Sequence, residues 1–172
     1  MNGGGILGNL LGNAAESVAK KSTPKFMAKF GKSTGDEAID MRIKSVVDMS
    51  PDDYLKQAFE ATDGRLGGTY DSWLGSNAQD ISTTRRYADA MKRGDEFPMA
   101  YIDNALGSQD GRNRALAVKM AGGDTMPVGI IPEMDDVEAL GYYTNLLKNA
   151  QSKYSKFTYQ KKIDAIKQKM GM

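Results

Sequence analysis

Apolar residues recur at three- and four-residue spacing in several short stretches of this chain, the period of helices that bury one face. After Ser50-Pro51-Asp52-Asp53, the residues Tyr54, Leu55 and Ala58, with Phe59 beside them, predict a helix over Pro51 to Ala61. Ser50 has an N-capping side chain, and Pro51 suits the first helical position, where a missing N–H costs nothing. Ser82 to Arg93 repeats the pattern with Tyr87, Ala88 and Met91 inward and Gly94 as the stop. A third helix follows Gln109-Asp110-Gly111-Arg112-Asn113-Arg114, runs to about Ala121 and ends at Gly122-Gly123. From Asp135 onward Val137, Leu140, Tyr143, Leu147 and Ala150 continue the spacing, and after a break near Ser155 it returns with Ile163, Ile166 and Met170.

Between the helical stretches lie short segments that read as strands. Met41 to Met49 contains Ile43, Val46 and Val47; Phe97 to Asp103 alternates; Met126 to Ile131 is a compact apolar run. Pro127 places that last run at a sheet edge or makes Pro127 one of the strand's first residues, because proline donates no ladder hydrogen bond. Asp63 to Gly75 reads as a glycine-rich loop carrying the one tryptophan, Trp73, as a packing anchor. Asn104 to Ser108 reads as a turn. Short strands mixed with helices predict an α+β fold: a small mixed sheet packed with helices.

The chain's beginning differs from the rest. Met1 to Gly12 is glycine-rich, with Ile6, Leu7, Leu10 and Leu11 at helical spacing. Glycine at this density opposes an isolated helix. No basic residue precedes the apolar ones, so the segment does not read as a secretion signal. Asn13 to Phe30 predicts a lysine-bearing amphipathic helix broken near Pro24, with Val18, Phe26, Met27 and Phe30 docking on a partner or a surface. The expected organisation is a glycine-rich, basic arm over residues 1–40, the α+β domain over 41–134 and a basic helical extension over 135–172.

Charge sharpens that division. Of 172 residues with a net charge of +1, residues 1–32 hold five lysines against Glu16, and residues 148–172 hold seven against Asp164. The ends are therefore +4 and +6, which leaves −9 on the body. Lysine-rich ends suit nucleic acid, anionic lipid or an acidic partner, and equally suit solvated helix faces. The candidate contacts are Lys20, Lys21, Lys25, Lys161, Lys162, Lys167 and Lys169. The chain has no cysteine and no histidine, which excludes disulfides, thiol nucleophiles, Cys/His zinc sites and imidazole bases. No apolar run approaches the roughly 20 residues of a membrane-spanning helix.

The candidate chemistry sits at the start of the third helix. Arg112 and Arg114 lie at an end that already carries partial positive charge and unpaired N–H groups, so an anion such as phosphate suits them there. Asp110 reads as the N-cap, and Gly111 would let a ligand come close to the backbone. Two positions apart, the arginines point to different sides of the helix, one toward a ligand and the other toward a structural carboxylate. Alternatively, both pair with Glu133, Asp135 or Asp136.

The run Asp-Gly-Arg-Asn-Arg-Ala-Leu-Ala-Val-Lys-Met-Ala-Gly-Gly-Asp-Thr-Met-Pro-Val, from Asp110 to Val128, resembles the ParB/sulfiredoxin-like superfamily in its bacteriophage and mobile-element forms. Met49 to Leu55 and Gly94 to Pro98 are similar to further parts of the family pattern, so the resemblance spans about residues 43–132. It implies a phosphate or nucleotide site formed by Asp110, Gly111, Arg112, Asn113 and Arg114, with a nucleotide as the cofactor it admits. The family's usual histidine is Asn113 here, and no cysteine is present for sulfinic acid chemistry. Asparagine transfers no proton near neutral pH, so binding is favoured over catalysis.

Two functional expectations follow. One is a bacteriophage virion-associated structural or ejected protein on a ParB-like fold. Its tails would contact neighbouring subunits or DNA in an oligomeric assembly, located in the virion or the host cytoplasm. The other is a ParB-like protein that binds nucleic-acid or nucleotide phosphates. A third, weaker reading is a carboxylate and metal enzyme using Asp110, Glu133, Asp135 and Asp136.

Overall fold

The computed structural model describes residues 26–75 and 81–172. Lys20, Lys21, Lys25 and the glycine-rich opening therefore lie outside the described residues. The chain is α+β. Its principal sheet has four strands, β2 (Ser45–Met49), β4 (Ala100–Asp103), β5 (Ser108–Asp110) and β6 (Met126–Ile131), in the order β2-β6-β4-β5. β2 and β5 pair antiparallel to their neighbours, while β4 and β6 run parallel in the centre. A two-stranded parallel ribbon joins β1 (Lys29–Phe30) to β3 (Glu96–Phe97).

Seven α-helices are described: α1 (Glu37–Asp40), α2 (Pro51–Ala61), α3 (Tyr70–Gly75), α4 (Ile81–Arg93), α5 (Arg112–Ala121), α6 (Asp136–Asn149) and α7 (Lys153–Lys169). α2 forms as its sequence predicts: the Ser50 hydroxyl accepts from the Asp53 N–H at 3.1 Å, and Pro51 stands in the first turn. It buries Tyr54, Leu55, Ala58 and Ala61, with Phe59 half-buried. α5 buries Ala115, Ala117, Val118 and Ala121, short side chains that let it lie close against α2 and α4. Gly122 closes α5 in the left-handed region at φ 80°, as the glycine pair predicts. The core joins these helices to Ile102, Met126 and Val128 of the sheet.

Several expectations need correction. The strand over Phe97 to Asp103 is divided, because Pro98 donates no hydrogen bond and the Met99 N–H turns to the Ser33 carbonyl. Residues 26–30, assigned to an amphipathic helix, run as extended chain into β1; Phe26 and Phe30 pack on the core and Met27 is exposed. Asp63 to Gly75 is a 3-10 turn (Asp63–Leu66) followed by α3, not a loop. Trp73 is the packing anchor expected, buried against Phe59 and Tyr70. Ser108 belongs to β5, so the turn before it is one residue shorter than predicted.

Pro127 lies in a central strand, not at an edge, but it is the strand's second residue. Pairing with β4 begins one residue later, at Ala100 opposite Val128. The C-terminal break falls at residues 150–152 and not at Ser155, because Ser152 caps α7 through the Ser155 N–H. α6 opens with a capping box between Asp135 and Glu138, and it packs chiefly on α7. Among the described residues, no helix is long and apolar enough to cross a membrane.

Candidate functional site

The sequence motif and a surface cleft coincide. A cleft of about 160 Å³ is lined by Tyr87, Gln109, Asp110, Gly111, Arg112, Asn113 and Arg114. All five motif residues predicted as a phosphate site are thus brought together. Tyr87 was expected as an inward core residue of α4; it is half-buried, with its ring against Phe97 and its residue at the cleft.

The cleft begins where β5 meets α5. Gly111, not Asp110, is the N-cap, and no side chain caps α5 through it. The Asp110 carboxylate has another partner: it accepts from Arg114 Nη2 at 2.9 Å, one helical turn on. Asp110 ends β5 opposite Tyr101, so its backbone is committed to the sheet and its side chain is free to lie along the helix. Gly111 adopts φ 145°, a backbone that L side chains rarely take. A Cβ there would stand 2.5 Å from Ala100 Cβ and 2.9 Å from Tyr54 Oη. The backbone at the helix start therefore rests directly on the core.

Tyr54 supports the site from below. It is fully buried, and its hydroxyl donates to Gln109 Oε1 at 2.7 Å. Burial raises its pKa far above the ordinary tyrosine range, and the Asp110 carboxylate adds to the shift, so it stays a neutral donor.

The two arginines divide their roles. Arg112 Nη1 donates to the Trp73 carbonyl at 2.7 Å, and its guanidinium lies 4.8 Å from the Trp73 ring centre. This is a cation–π contact, a geometry arginine favours. Arg114 is 8% exposed, and its Nε is buried with no hydrogen-bond partner among the described residues. Arg114 thus meets a carboxylate and also keeps an unmet donor, while Arg112 is engaged by Trp73, so the two roles expected of separate arginines fall together on Arg114. An arginine buried to this degree with an unmet donor is costly unless something else accepts from it.

Neither arginine pairs with Glu133, Asp135 or Asp136, contrary to the alternative reading. Glu133 holds Arg65 at 2.6 Å, Asp135 caps α6, and Asp136 holds Lys169 at 2.8 Å. These acids and Asp110 are engaged at separate places, and no metal-competent cluster exists among the described residues.

The C-terminal lysines do not form one face. Lys169 pairs with Asp136, and Lys162 Nζ lies 5.9 Å over the Tyr143 ring, both toward α6. Lys161 and Lys167 are exposed, and Lys161 Nζ lies 5.2 Å over Phe157. The sequence reading omitted Lys153 and Lys156, also exposed on α7. The period that buries Ile163 would not have placed them, since Lys156 stands seven residues before it, about 20° away on the helix.

No family model, curated protein or solved structure matches this chain.

Proposed function

We propose that this protein is a ParB/sulfiredoxin-like phosphate-binding module that takes the phosphate of a nucleic acid or nucleotide in the cleft at Asp110–Arg114. The observation that carries the reading is Arg114: a buried guanidinium, fixed by Asp110 on one nitrogen and with Nε unmet, at the N-terminus of a ten-residue helix. The helix dipole and a buried cation both favour an anion there. At about 160 Å³ the cleft is smaller than the roughly 300–1,000 Å³ of sites that enclose drug-sized ligands. It suits a phosphate group whose nucleoside or chain extends outside.

Calorimetric titration at low salt with inorganic phosphate and with CTP tests this. Saturable binding is expected, lost in Asn113→Asp, which puts a second negative charge in the cleft, and weakened in Arg114→Gln. If neither ligand binds at millimolar concentration, or if Asn113→Asp binds as the wild type does, the reading is wrong.

A second reading, a structural component of a bacteriophage virion or an ejected protein, draws on β2. Among the described residues this strand pairs only with β6, and Val46 and Val47 are 55% and 44% exposed on it. An edge strand with apolar side chains on both faces is a template for pairing between chains. Light scattering of the wild type and of Val46→Lys distinguishes the cases. An assembly dispersed by the lysine supports it, and a wild-type monomer at all concentrations sinks it.

A further inference from the structure

The outer face of α7 carries a pattern independent of the cleft. Ile163 is buried against the rest of the molecule, while Tyr154 is 80% and Phe157 62% exposed on the other side. At 100° per residue, Lys153, Lys156, Lys161 and Lys167 fall within one half of the helix surface with these two rings and all are exposed, Lys161 between the rings and Lys156 and Lys167 at the margin, only about 20° and 40° round from Ile163. None of the four lysines forms an ion pair among the described residues, although the body of the chain is strongly acidic. Only Asp164 shares this half of the helix, and it accepts from Gln160 at 2.8 Å. The lysines extend over 14 residues, or about 21 Å of helix.

We infer that this face of α7 docks single-stranded nucleic acid, with Tyr154 and Phe157 stacking bases and Lys153, Lys156, Lys161 and Lys167 meeting the phosphates. Exposed rings interleaved with unpaired cations are the two parts single-strand recognition needs: flat apolar surfaces that accept any base, and positive charge that follows the backbone. Duplex DNA hides its base faces, so it would use the lysines and leave both rings in water. An acidic protein partner would use the lysines and bury the rings as well, and the absence of oligonucleotide binding is the outcome that assigns the face to it. Lys161 over Phe157 already shows the ring holding a cation at 5.2 Å, a contact that a base and its phosphate can share. The inference stands whether or not the cleft binds phosphate.

Fluorescence anisotropy of a labelled 12-nucleotide oligothymidylate with the full chain tests it, circular dichroism confirming the helices of every variant. Binding is expected to weaken steeply with salt, and Lys153→Gln/Lys156→Gln/Lys161→Gln should reduce the log–log salt slope by about 2, at roughly 0.7 per phosphate contact. Tyr154→Ala and Phe157→Ala should each weaken binding at least about fivefold, the lower limit for losing one stacked base. In an Arg114→Gln background, which weakens phosphate binding in the cleft, the losses from the ring and lysine substitutions should persist, which separates the two sites. The proposal is overturned by an absence of oligonucleotide binding, by equal affinity for duplex of the same length, or by indifference to both ring deletions. Binding to phosphatidylserine vesicles without oligonucleotide binding would assign the face to a lipid surface and overturn it as well.

Discussion

Replacing Gly111 by alanine tests whether the helix start is held by its contact with the core. Two costs add. The first is conformational: at φ 145° an L residue is strained, worth about 1–3 kcal/mol. The second is steric: the new Cβ would meet Ala100 Cβ at 2.5 Å and Tyr54 Oη at 2.9 Å. Ala100 lies on a central strand and Tyr54 is fully buried, so neither can retreat into solvent, and overpacking of this kind costs about 1–3 kcal/mol. The sum is about 4 kcal/mol, near 8–16 °C in Tm for a chain of this size. Gly122→Ala is the matched control: it has φ 80° but nothing within 4 Å of its Cβ, so it bears strain alone, about 1–2 kcal/mol. Urea unfolding followed by circular dichroism measures both, and an unchanged slope keeps the comparison clean. Equal losses in the two variants, or a loss under 1 kcal/mol at Gly111, would show that the close approach to Ala100 and Tyr54 is not a constraint.

Other perturbations reach different parts of the fold. Arg42→Met removes the cation 2.7 Å from Asp103, which is completely buried, and should cost about 3–5 kcal/mol in urea unfolding; a loss below 1 kcal/mol would mean the carboxylate needs no such partner. Ser33→Ala should show a pH-dependent loss. Hydrogen bonds, first from the Ser33 hydroxyl and then from Thr34, hold the Asp40 pKa below its usual 3.8, so they stabilise the fold above that pH and cease to as pH falls through the lowered value. The gap between wild type and Ser33→Ala should therefore be full at pH 6 and shrink below 3.8; a constant gap from pH 6 to 2 contradicts it. Leu55→Ala, at a position 2% exposed, should cost about 2–5 kcal/mol, and a smaller loss would show the helix–sheet core to be loosely packed. Phosphate titration should change the emission of Trp73, the one tryptophan, because the Arg112 guanidinium lies over its ring; a spectrum unmoved at saturation would mean that Arg112 does not respond to the ligand.

What the sequence disclosed tracks how local the determining interaction is. α2 was legible to its first and last residues because Ser50, Pro51 and the Tyr54, Leu55, Ala58 spacing all act within the helix itself. The end of α5 was legible for the same reason, through Gly122. The cap of α5 was misjudged because the decision is not local. Asp110 is held in β5 by Tyr101 and drawn to Arg114, and its side chain cannot also reach the first-turn N–H groups. β1 and β3 share this difficulty: each has two residues, too few for a period, and they exist because distant segments meet. The membership of the cleft was readable from one contiguous motif, whereas Tyr87 needed the packing of α4 beside α5 to reach it. The exposed lysines of α7 were not legible from the helical period alone, because Lys156 and Lys167 stand seven residues before and four after the buried Ile163, on its side of the helix.

Pro127 in a central strand has a consequence for folding errors. β6 takes β2 on one side from Met126 onward, but β4 joins on the other side only from Val128, so the ladder with β4 starts just past the residue that has no N–H. Sliding β6 by one residue would set the proline beside β4 and take a donor out of a buried ladder, while turning Val128 from the core side of the sheet to the opposite one. The lost hydrogen bond acts as soon as the strands touch, and the misplaced Val128 adds its cost when the helices cover the sheet. A residue that looks like a flaw in the strand thus acts as a mechanical stop, rejecting the wrong alignment at the stage when the chain can still correct it.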